Sequence, residues 1–227
     1  MIRTKIYLLI GIIAVFFSCN KIDNYERPNG AIYGKLTDLI INEGLQSEQP
    51  NGFSVRLFEK GGKMNLPILF YGKPDGTYEN AMVFKNEFKV IPCEGAFFPL
   101  DTITVKVGSR TECNFGVMPF LAVTSVTVIP SAGKITASYK IARKQLGDKI
   151  TERKTLVSKT PTVNNVVYNF KKDTDISAIP DIDILTSQFI DDVTGLKSGD
   201  YYVRVAVRTN NALKKYNYSK VFKVTVP

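Results

Sequence analysis

The acidic residues of this sequence come closest to the spacing of catalytic or metal-binding groups. Asp191 and Asp192 are adjacent on a predicted strand, and neighbouring strand residues point to opposite faces of a sheet. They therefore cannot share one substrate. Residues 171–185 carry aspartates at alternate positions, as a calcium loop does, but this segment lacks the glycine and the bidentate glutamate that such a loop uses. We expect neither a carboxylate pair nor a metal site.

The missing residue types narrow the chemistry further. The chain of 227 residues contains no His, which excludes Ser–His and Cys–His nucleophile pairs, the commonest proton shuttle and the usual zinc sites. It also lacks a nucleophile-elbow motif and a phosphate-binding loop. We therefore expect no catalytic residue and no cofactor, and predict that the protein is not an enzyme.

Aromatic side chains on loops are the remaining candidates for ligand binding, because their flat faces can stack on sugar rings. Tyr71 and Tyr78 flank a Pro-Asp-Gly turn, and Asp75 and Asn80 lie beside them to bind sugar hydroxyls. The sequence predicts a glycan-binding pair at the base of this turn. The alternative is that both tyrosines are strand-end residues packed against a sheet.

Two further aromatic groups are candidates for the same role. Residues 210–218, "NNALKKYNY", combine Asn211 with Tyr216 and Tyr218, although these tyrosines also fit a half-buried strand. Phe97 and Phe98 fit a ligand surface or a plug at the end of a sandwich. Trp, which often stacks on sugars, is absent.

The N-terminus has the features of an export signal. Residues 6–17 form an apolar run of twelve residues, too short for a membrane span of about 20 but typical of a signal peptide. The following Ser18 and Cys19 resemble the lipobox of bacterial lipoproteins, in which the cysteine becomes lipidated. We predict a signal peptide over residues 1–18 and a lipidated Cys19 that opens a polar tether over residues 19–29. The alternative is an ordinary signal peptide or an uncleaved anchor.

The rest of the chain is patterned as strands. Short alternating runs such as "FSVRLFEK" and "YYVRVAVRTN" are separated by Gly, Pro, Asn and Asp, and no helical period is sustained. The pattern predicts an all-β protein of two tandem β-sandwich domains, covering residues 30–120 and 121–227. Cys93 and Cys113 form either a disulfide or two separate thiols.

The segments "GAIYGKLTD", "KPDGTYEN" and above all "CEGAFFPLDTITV" resemble the first domain of a family of Bacteroidetes outer-membrane lipoproteins of uncharacterised function. This resemblance implies a transthyretin-like or carboxypeptidase-regulatory-like sandwich for residues 30–120. It also implies an outer-membrane, cell-surface location beside a starch-utilisation-type transporter and its glycan-binding lipoprotein. Residues 195–226 resemble the late strands of a fibronectin type III or immunoglobulin-like sandwich. Leu196, Gly199 and Tyr201 lie near the positions of a tyrosine corner, with one residue fewer than usual.

These observations lead to one functional prediction with one alternative. The predicted function is that of a non-catalytic accessory component of a polysaccharide-uptake system that binds glycan or the transporter assembly. The alternative is a structural spacer or protein-interaction module without a sugar site. The net charge of +9 comes from dispersed basic residues, so we expect no nucleic-acid partner.

Overall fold

A computed structural model of the protein describes residues 26–61 and 66–227. The predicted signal peptide and Cys19 lie outside these residues. The described chain is nearly all β and forms the two tandem β-sandwiches predicted from the sequence. Within these residues, no helix has the length and hydrophobicity of a membrane span.

The first sandwich consists of two sheets with one core between them. Its strands are β1 (Gly30–Asp38), β2 (Glu43–Gly44), β3 (Ser54–Glu59), β4 (Ile68–Tyr71), β5 (Thr77–Val83), β6 (Glu87–Cys93), β7 (Ile103–Lys106), β8 (Thr111–Glu112) and β9 (Phe115–Val117). In sheet 1, β1 pairs antiparallel with β2 and β5 and parallel with β8 and β9. Sheet 2 is antiparallel in the order β4-β3-β6-β7. Ile32 and Leu36 of sheet 1 share a core with Val55 and Val90 of sheet 2.

Close packing in sheet 1 explains one glycine of the family-like motif. Every second residue of β1 is buried, as expected for a strand with one face on the core. At Gly34, a Cβ atom would lie 1.9 Å from the carbonyl oxygen of Cys113. Only glycine therefore lets the chain at Cys113 pass β1 at this distance.

The second sandwich follows the same plan and ends at Val226. Its elements are β10 (Ala122–Ser131), β11 (Lys134–Ala142), β12 (Ile150–Ser158), β13 (Phe170–Asp175), helix α1 (Asp181–Thr186), β14 (Gln188–Thr194), β15 (Gly199–Thr209), β16 (Asn217–Tyr218) and β17 (Phe222–Val226). Sheet 3 has the order β10-β11-β14, and sheet 4 has the order β13-β12-β15, with β16 and β17 both paired to β15. The hydroxyl of Tyr201 donates to the carbonyl of Lys197 at 3.0 Å, so the tyrosine corner is present despite its shorter spacing.

A first-domain loop connects the two sandwiches through buried polar contacts. Residues 39–52, which include the short strand β2, reach the outer face of sheet 4. There Arg204, which is 2% exposed, donates to the carbonyls of Ser47 at 3.0 Å and Ser219 at 2.9 Å. The Tyr218 hydroxyl donates to the Glu48 carboxylate at 2.9 Å. These contacts hold the second domain in one orientation against the first.

Candidate functional site

The predicted pair of tyrosines at the Pro-Asp-Gly turn does not exist. Tyr71 ends β4 of sheet 2 and is 49% exposed, whereas Tyr78 lies on β5 of sheet 1 and is 1% exposed. The Tyr78 hydroxyl donates to the backbone carbonyl of Cys113, and burial raises its pKa far above the ordinary value. The prediction was wrong for Tyr78 because the two strands leave the turn into different sheets.

The side chains of Asp75 and Asn80 form hydrogen bonds with the backbone two residues further along the chain. The Asp75 carboxylate accepts the hydroxyl of Thr77 at 2.7 Å and its N–H at 3.1 Å. The Asn80 side-chain oxygen accepts the N–H of Met82 at 2.9 Å. Neither group lies with Tyr71 on one strand face, so the structure does not bring together the predicted cluster of four residues.

The second candidate group is structural, and its prediction as a ligand surface was wrong. Asn211, Tyr216 and Tyr218 are all buried. The Asn211 amide closes a turn with the backbone of Lys215, while the Tyr216 hydroxyl donates to Glu152 at 2.5 Å. The first-domain loop covers Tyr218, a contact that the strand pattern alone does not reveal.

Tyr71 instead belongs to the outer face of sheet 2, which we define as Ser54, Arg56, Leu69, Tyr71, Ile91 and Cys93. Tyr71 lies directly across from Ser54, and Ser54 lies across from Cys93. This row crosses three strands and is about 10 Å long. Because Val55, Leu57 and Val90 point into the core, the alternation of the strands places this set of side chains on the opposite side.

An ion pair lies on this outer face. The Glu94 carboxylate accepts hydrogen bonds from Arg56 at 2.5 Å and from the Ser54 hydroxyl at 2.8 Å. Glu94 has a φ of 61°, a left-handed conformation that is uncommon for a residue other than glycine. This backbone turn at the end of β6 brings the carboxylate back over the sheet. The result is a fixed carboxylate and guanidinium on the same face as an exposed aromatic ring.

A cavity between the two domains adjoins the outer face. We call this cavity of about 340 Å³ the interdomain cleft. Its lining residues are Ile91, Pro92, Cys93, Glu94, Gly95, Phe97, Pro99, Leu100, Phe120, Asp148, Asn211, Ala212 and Leu213. Ile91 and Cys93 belong to both the cleft and the outer face, so a ligand can extend from one to the other.

The family-like segment "CEGAFFPLDTITV" builds one wall of the cleft. Phe97 packs over Gly95, where a Cβ atom would lie 2.1 Å from its ring. Phe98 contacts Phe120 edge to face, with ring centroids 5.1 Å apart. The Asn217 amide donates to the carbonyl of Ala96 at 2.8 Å. Phe97 therefore lines the cleft, while Phe98 packs against Phe120 at the domain boundary.

The two cysteines and the two adjacent aspartates are each kept apart in the described residues. Cys93 and Cys113 are free thiols, as the second interpretation of the sequence predicted, and burial raises the pKa of Cys93. Asp191 is buried and Asp192 is exposed, so they point to opposite faces, as predicted. Across residues 26–61 and 66–227, no group of three His, Cys, Asp or Glu is arranged to hold a metal.

Part of this site was accessible from the sequence. The alternation in "FSVRLFEK" places Ser54 and Arg56 on one face, and Tyr71 is among the residues predicted from the sequence to stack on a sugar. Glu94 and the cleft were missed. The cleft combines residues near 95 with residues near 213, and no local pattern indicates that such distant segments meet.

Comparison with known proteins identifies relatives with the same two-domain fold. Residues 31–118 match the N-terminal domain of a protein family of unknown function, DUF3823, and residues 121–223 match its C-terminal domain, DUF3823_C. No curated protein matches the sequence.

Several solved structures share the fold. A DUF3823 family protein from Bacteroides uniformis is 23% identical, with a TM-score of 0.77, over 88% of this chain and 100% of that one. A candidate carbohydrate-binding protein from the same species is also 23% identical, with a TM-score of 0.73 and the same coverage. A DUF3823 family protein from Parabacteroides merdae is 21% identical, with a TM-score of 0.73, over 89% of this chain and 100% of that one.

Proposed function

Because the chain belongs to the DUF3823 family, whose function is unknown, we propose a function from its site: a non-catalytic, glycan-binding accessory lipoprotein of a polysaccharide-uptake system. The observation that carries this proposal is the outer face of sheet 2. There Tyr71 exposes its ring on the same face as the ion pair of Arg56 and Glu94. One structural relative is a candidate carbohydrate-binding protein, which supports the same class of ligand.

The chemistry of the outer face suits a sugar chain. A pyranose ring has an apolar C–H face that packs on an aromatic ring, and hydroxyls that need donors or acceptors. Arg56 supplies a donor group and Glu94 an acceptor, and their side chains are 35% and 41% exposed. Each is held by the other, so little side-chain entropy is lost on binding.

We expect replacement of Tyr71 by alanine to weaken glycan binding by about 1–3 kcal/mol, by analogy with the loss of a base stacked on an aromatic ring. The fold should persist because Tyr71 is half-exposed on an edge strand. Isothermal titration calorimetry with a polysaccharide that binds the native protein measures this change in binding free energy. Tyr168→Ala is the matched control, since Tyr168 is an exposed tyrosine of the second domain. Equal affinity of Tyr71→Ala and the native protein would remove Tyr71 from the site.

The location follows from the predicted lipidation of Cys19. We propose that the protein is anchored in the outer membrane at the cell surface, next to the transporter and its glycan-binding lipoprotein. Two or more acyl chains make such anchoring stable. The occurrence of the fold in Bacteroides and Parabacteroides supports this setting.

In cells labelled with palmitate, the Cys19→Ala variant should carry no label and should keep its signal peptide, because the modified thiol is missing. Cys93→Ala is the control and should be labelled and processed normally, since Cys93 lies within the first sandwich. Labelled Cys19→Ala protein would contradict the lipoprotein proposal.

A rigid spacer is the second candidate function. The observation in its favour is the junction of Arg204, Tyr218 and Glu48, which fixes the two sandwiches in one orientation. A spacer of this kind would hold a partner at a set distance from the membrane and would bind no glycan.

A further inference from the structure

Arg204 is a buried cation that has no carboxylate partner of its own. It is 2% exposed, and its pKa of about 10 keeps the guanidinium charged at neutral pH. Buried charges in proteins are usually paired with an opposite charge. Across residues 26–61 and 66–227, however, no Asp or Glu forms an ion pair with Arg204. Its acceptors are backbone carbonyls and the side-chain oxygen of Gln46.

The Glu48 carboxylate influences the pKa of Arg204 but is bound by other groups. It accepts the Tyr218 hydroxyl at 2.9 Å and the Lys215 ammonium at 3.3 Å. The side chains of Lys215 and Glu48 are only 18% and 14% exposed. Two poorly hydrated cations, Arg204 and Lys215, therefore share one carboxylate, which leaves one positive charge without a balancing group.

One end of the Arg204 guanidinium also has a spare donor. A guanidinium carries five N–H groups. The Nε–H group donates to Ser219, and the two N–H groups of Nη1 donate to Ser47 and Val163. Nη2 also has two N–H groups, but its one acceptor is the Gln46 side-chain oxygen at 3.4 Å, which is long for a hydrogen bond.

This end of the guanidinium lies at a cavity of about 260 Å³ between the domains, which we call the junction pocket. Both Arg204 and its Nη2 acceptor Gln46 line the pocket, and so does Gln49. The amide nitrogens of Gln46 and Gln49 each donate to one carbonyl, those of Gly44 at 3.1 Å and Gly72 at 2.9 Å. Each amide therefore keeps one N–H group for a ligand, so that the pocket combines spare donors with positive charge.

These groups favour an acceptor with a single negative charge. A carboxylate accepts hydrogen bonds only, and it forms strong charge-assisted bonds with a guanidinium. The pocket is itself lined by one carboxylate, that of Asp75, which is exposed and accepts the hydroxyl and the N–H of Thr77. Its like charge disfavours a dianion such as phosphate more than a monoanion.

We propose that the junction pocket binds a carboxylate, carried by a small organic acid or by a uronic acid unit of a glycan. The volume of the pocket is slightly below the range for drug-sized ligands, as a small acid requires. The site is separate from the outer face of sheet 2, so this inference does not depend on the proposed glycan-binding function.

Glucuronate and glucose are matched probes, because they differ in whether C6 is a carboxylate or a hydroxymethyl group. The full-length protein is titrated with each sugar, and binding is followed by NMR of the Arg204 Nε–H signal. Glucuronate should bind saturably, and glucose should not bind at the same concentrations. Failure of glucuronate to bind, or equal binding of glucose, overturns the carboxylate site.

Two variants of the pocket should change glucuronate binding in opposite directions. Thr162→Asp puts a carboxylate at an exposed position that lines the pocket and should weaken binding about tenfold or more. Thr127→Asp is the matched control, because Thr127 is an exposed threonine of β10 outside the pocket. Asp75→Asn removes a like charge and should strengthen binding about two- to fivefold. Weaker binding by Asp75→Asn, or equal binding by Thr162→Asp and the native protein, would contradict a carboxylate ligand.

Further probes distinguish the two sources of the carboxylate. Acetate that binds as tightly as glucuronate would assign the pocket to small organic acids. Retardation in gels that contain polygalacturonate, lost in Thr162→Asp, would assign it to uronic acid units. Tyr71→Ala should leave glucuronate binding unchanged, since Tyr71 lies outside the pocket. Failure of glucuronate to bind would leave the proposed glycan site on the outer face standing.

Discussion

Replacing Asp191 by alanine is expected to lower the free energy of unfolding by about 3–5 kcal/mol. Asp191 is 1% exposed inside the second sandwich. Its carboxylate accepts hydrogen bonds from the hydroxyls of Tyr139 at 2.8 Å and Thr155 at 2.9 Å, and it forms an ion pair with Arg153. Removing the carboxylate leaves the guanidinium buried without its partner, which is the costly way to break an internal ion pair.

The neighbouring residue provides the control for this prediction. Asp192 is 49% exposed, and its carboxylate is bound by Lys134 and Thr136 at the surface. Asp192→Ala should therefore cost less than about 1 kcal/mol. Urea denaturation followed by far-UV circular dichroism gives both free energies of unfolding. This signal is used because the protein has no Trp whose fluorescence could report unfolding. Equal losses in the two variants would contradict the assignment of a buried ion pair.

Replacing Arg204 by alanine is expected to lower the free energy of unfolding by about 3 kcal/mol or more, because each buried carbonyl left without its donor costs about 1–3 kcal/mol. It is also expected to loosen the domain junction. The substitution removes the donor for three carbonyls, those of Ser47, Val163 and Ser219. It also removes the guanidinium that lies 4.4 Å from the centre of the Tyr218 ring. Burial lowers the pKa of Arg204 to about 10, because a charged guanidinium loses hydration when it is withdrawn from water.

Hydrogen exchange distinguishes a junction effect from a general loss of stability. The amide of Ser47 donates to the carbonyl of Pro74. In Arg204→Ala this amide should exchange faster than it does in the native protein, and its increase should exceed that of amides in the first-domain core. Arg110→Ala is the control, since Arg110 is an exposed arginine of the first domain. Unchanged exchange at residues 45–49 in the Arg204 variant would show that the junction does not depend on this residue.

The sequence was sufficient for the architecture because the fold depends on local patterns. Alternating apolar residues identified the strands. Leu196, Gly199 and Tyr201 lie near the positions of a tyrosine corner, although their spacing is one residue short of the usual pattern. The opposite orientations of Asp191 and Asp192 followed from strand geometry alone. Each of these features involves residues close together in the chain.

The site was harder to predict because it depends on which faces are covered. Tyr71 and Tyr78 both flank the same turn in the sequence. Strand β5 nevertheless places the ring of Tyr78 in the core of the first sandwich, whereas Tyr71 stays half-exposed. Tyr218 is a candidate ligand residue until the loop at residues 39–52 packs over it. Burial of this kind is decided by contacts between distant segments, which composition and periodicity do not encode.

The interdomain cleft lies at the same domain boundary as the junction of Arg204, Tyr218 and Glu48. Both sandwiches contribute to the cleft, with Phe97 from the first and Leu213 from the second. A junction fixed by buried polar contacts keeps these residues at a constant separation. We infer that the stability of the junction and the shape of the cleft depend on the same set of contacts.

The most direct test of the proposed function is affinity electrophoresis of the full-length protein through gels that contain a panel of polysaccharides. The proposal predicts retardation by at least one polysaccharide for the native protein, and loss or marked reduction of that retardation for Tyr71→Ala but not for Tyr168→Ala. Migration that no polysaccharide alters, or retardation that is equal in all three proteins, would contradict a glycan site on the outer face of sheet 2.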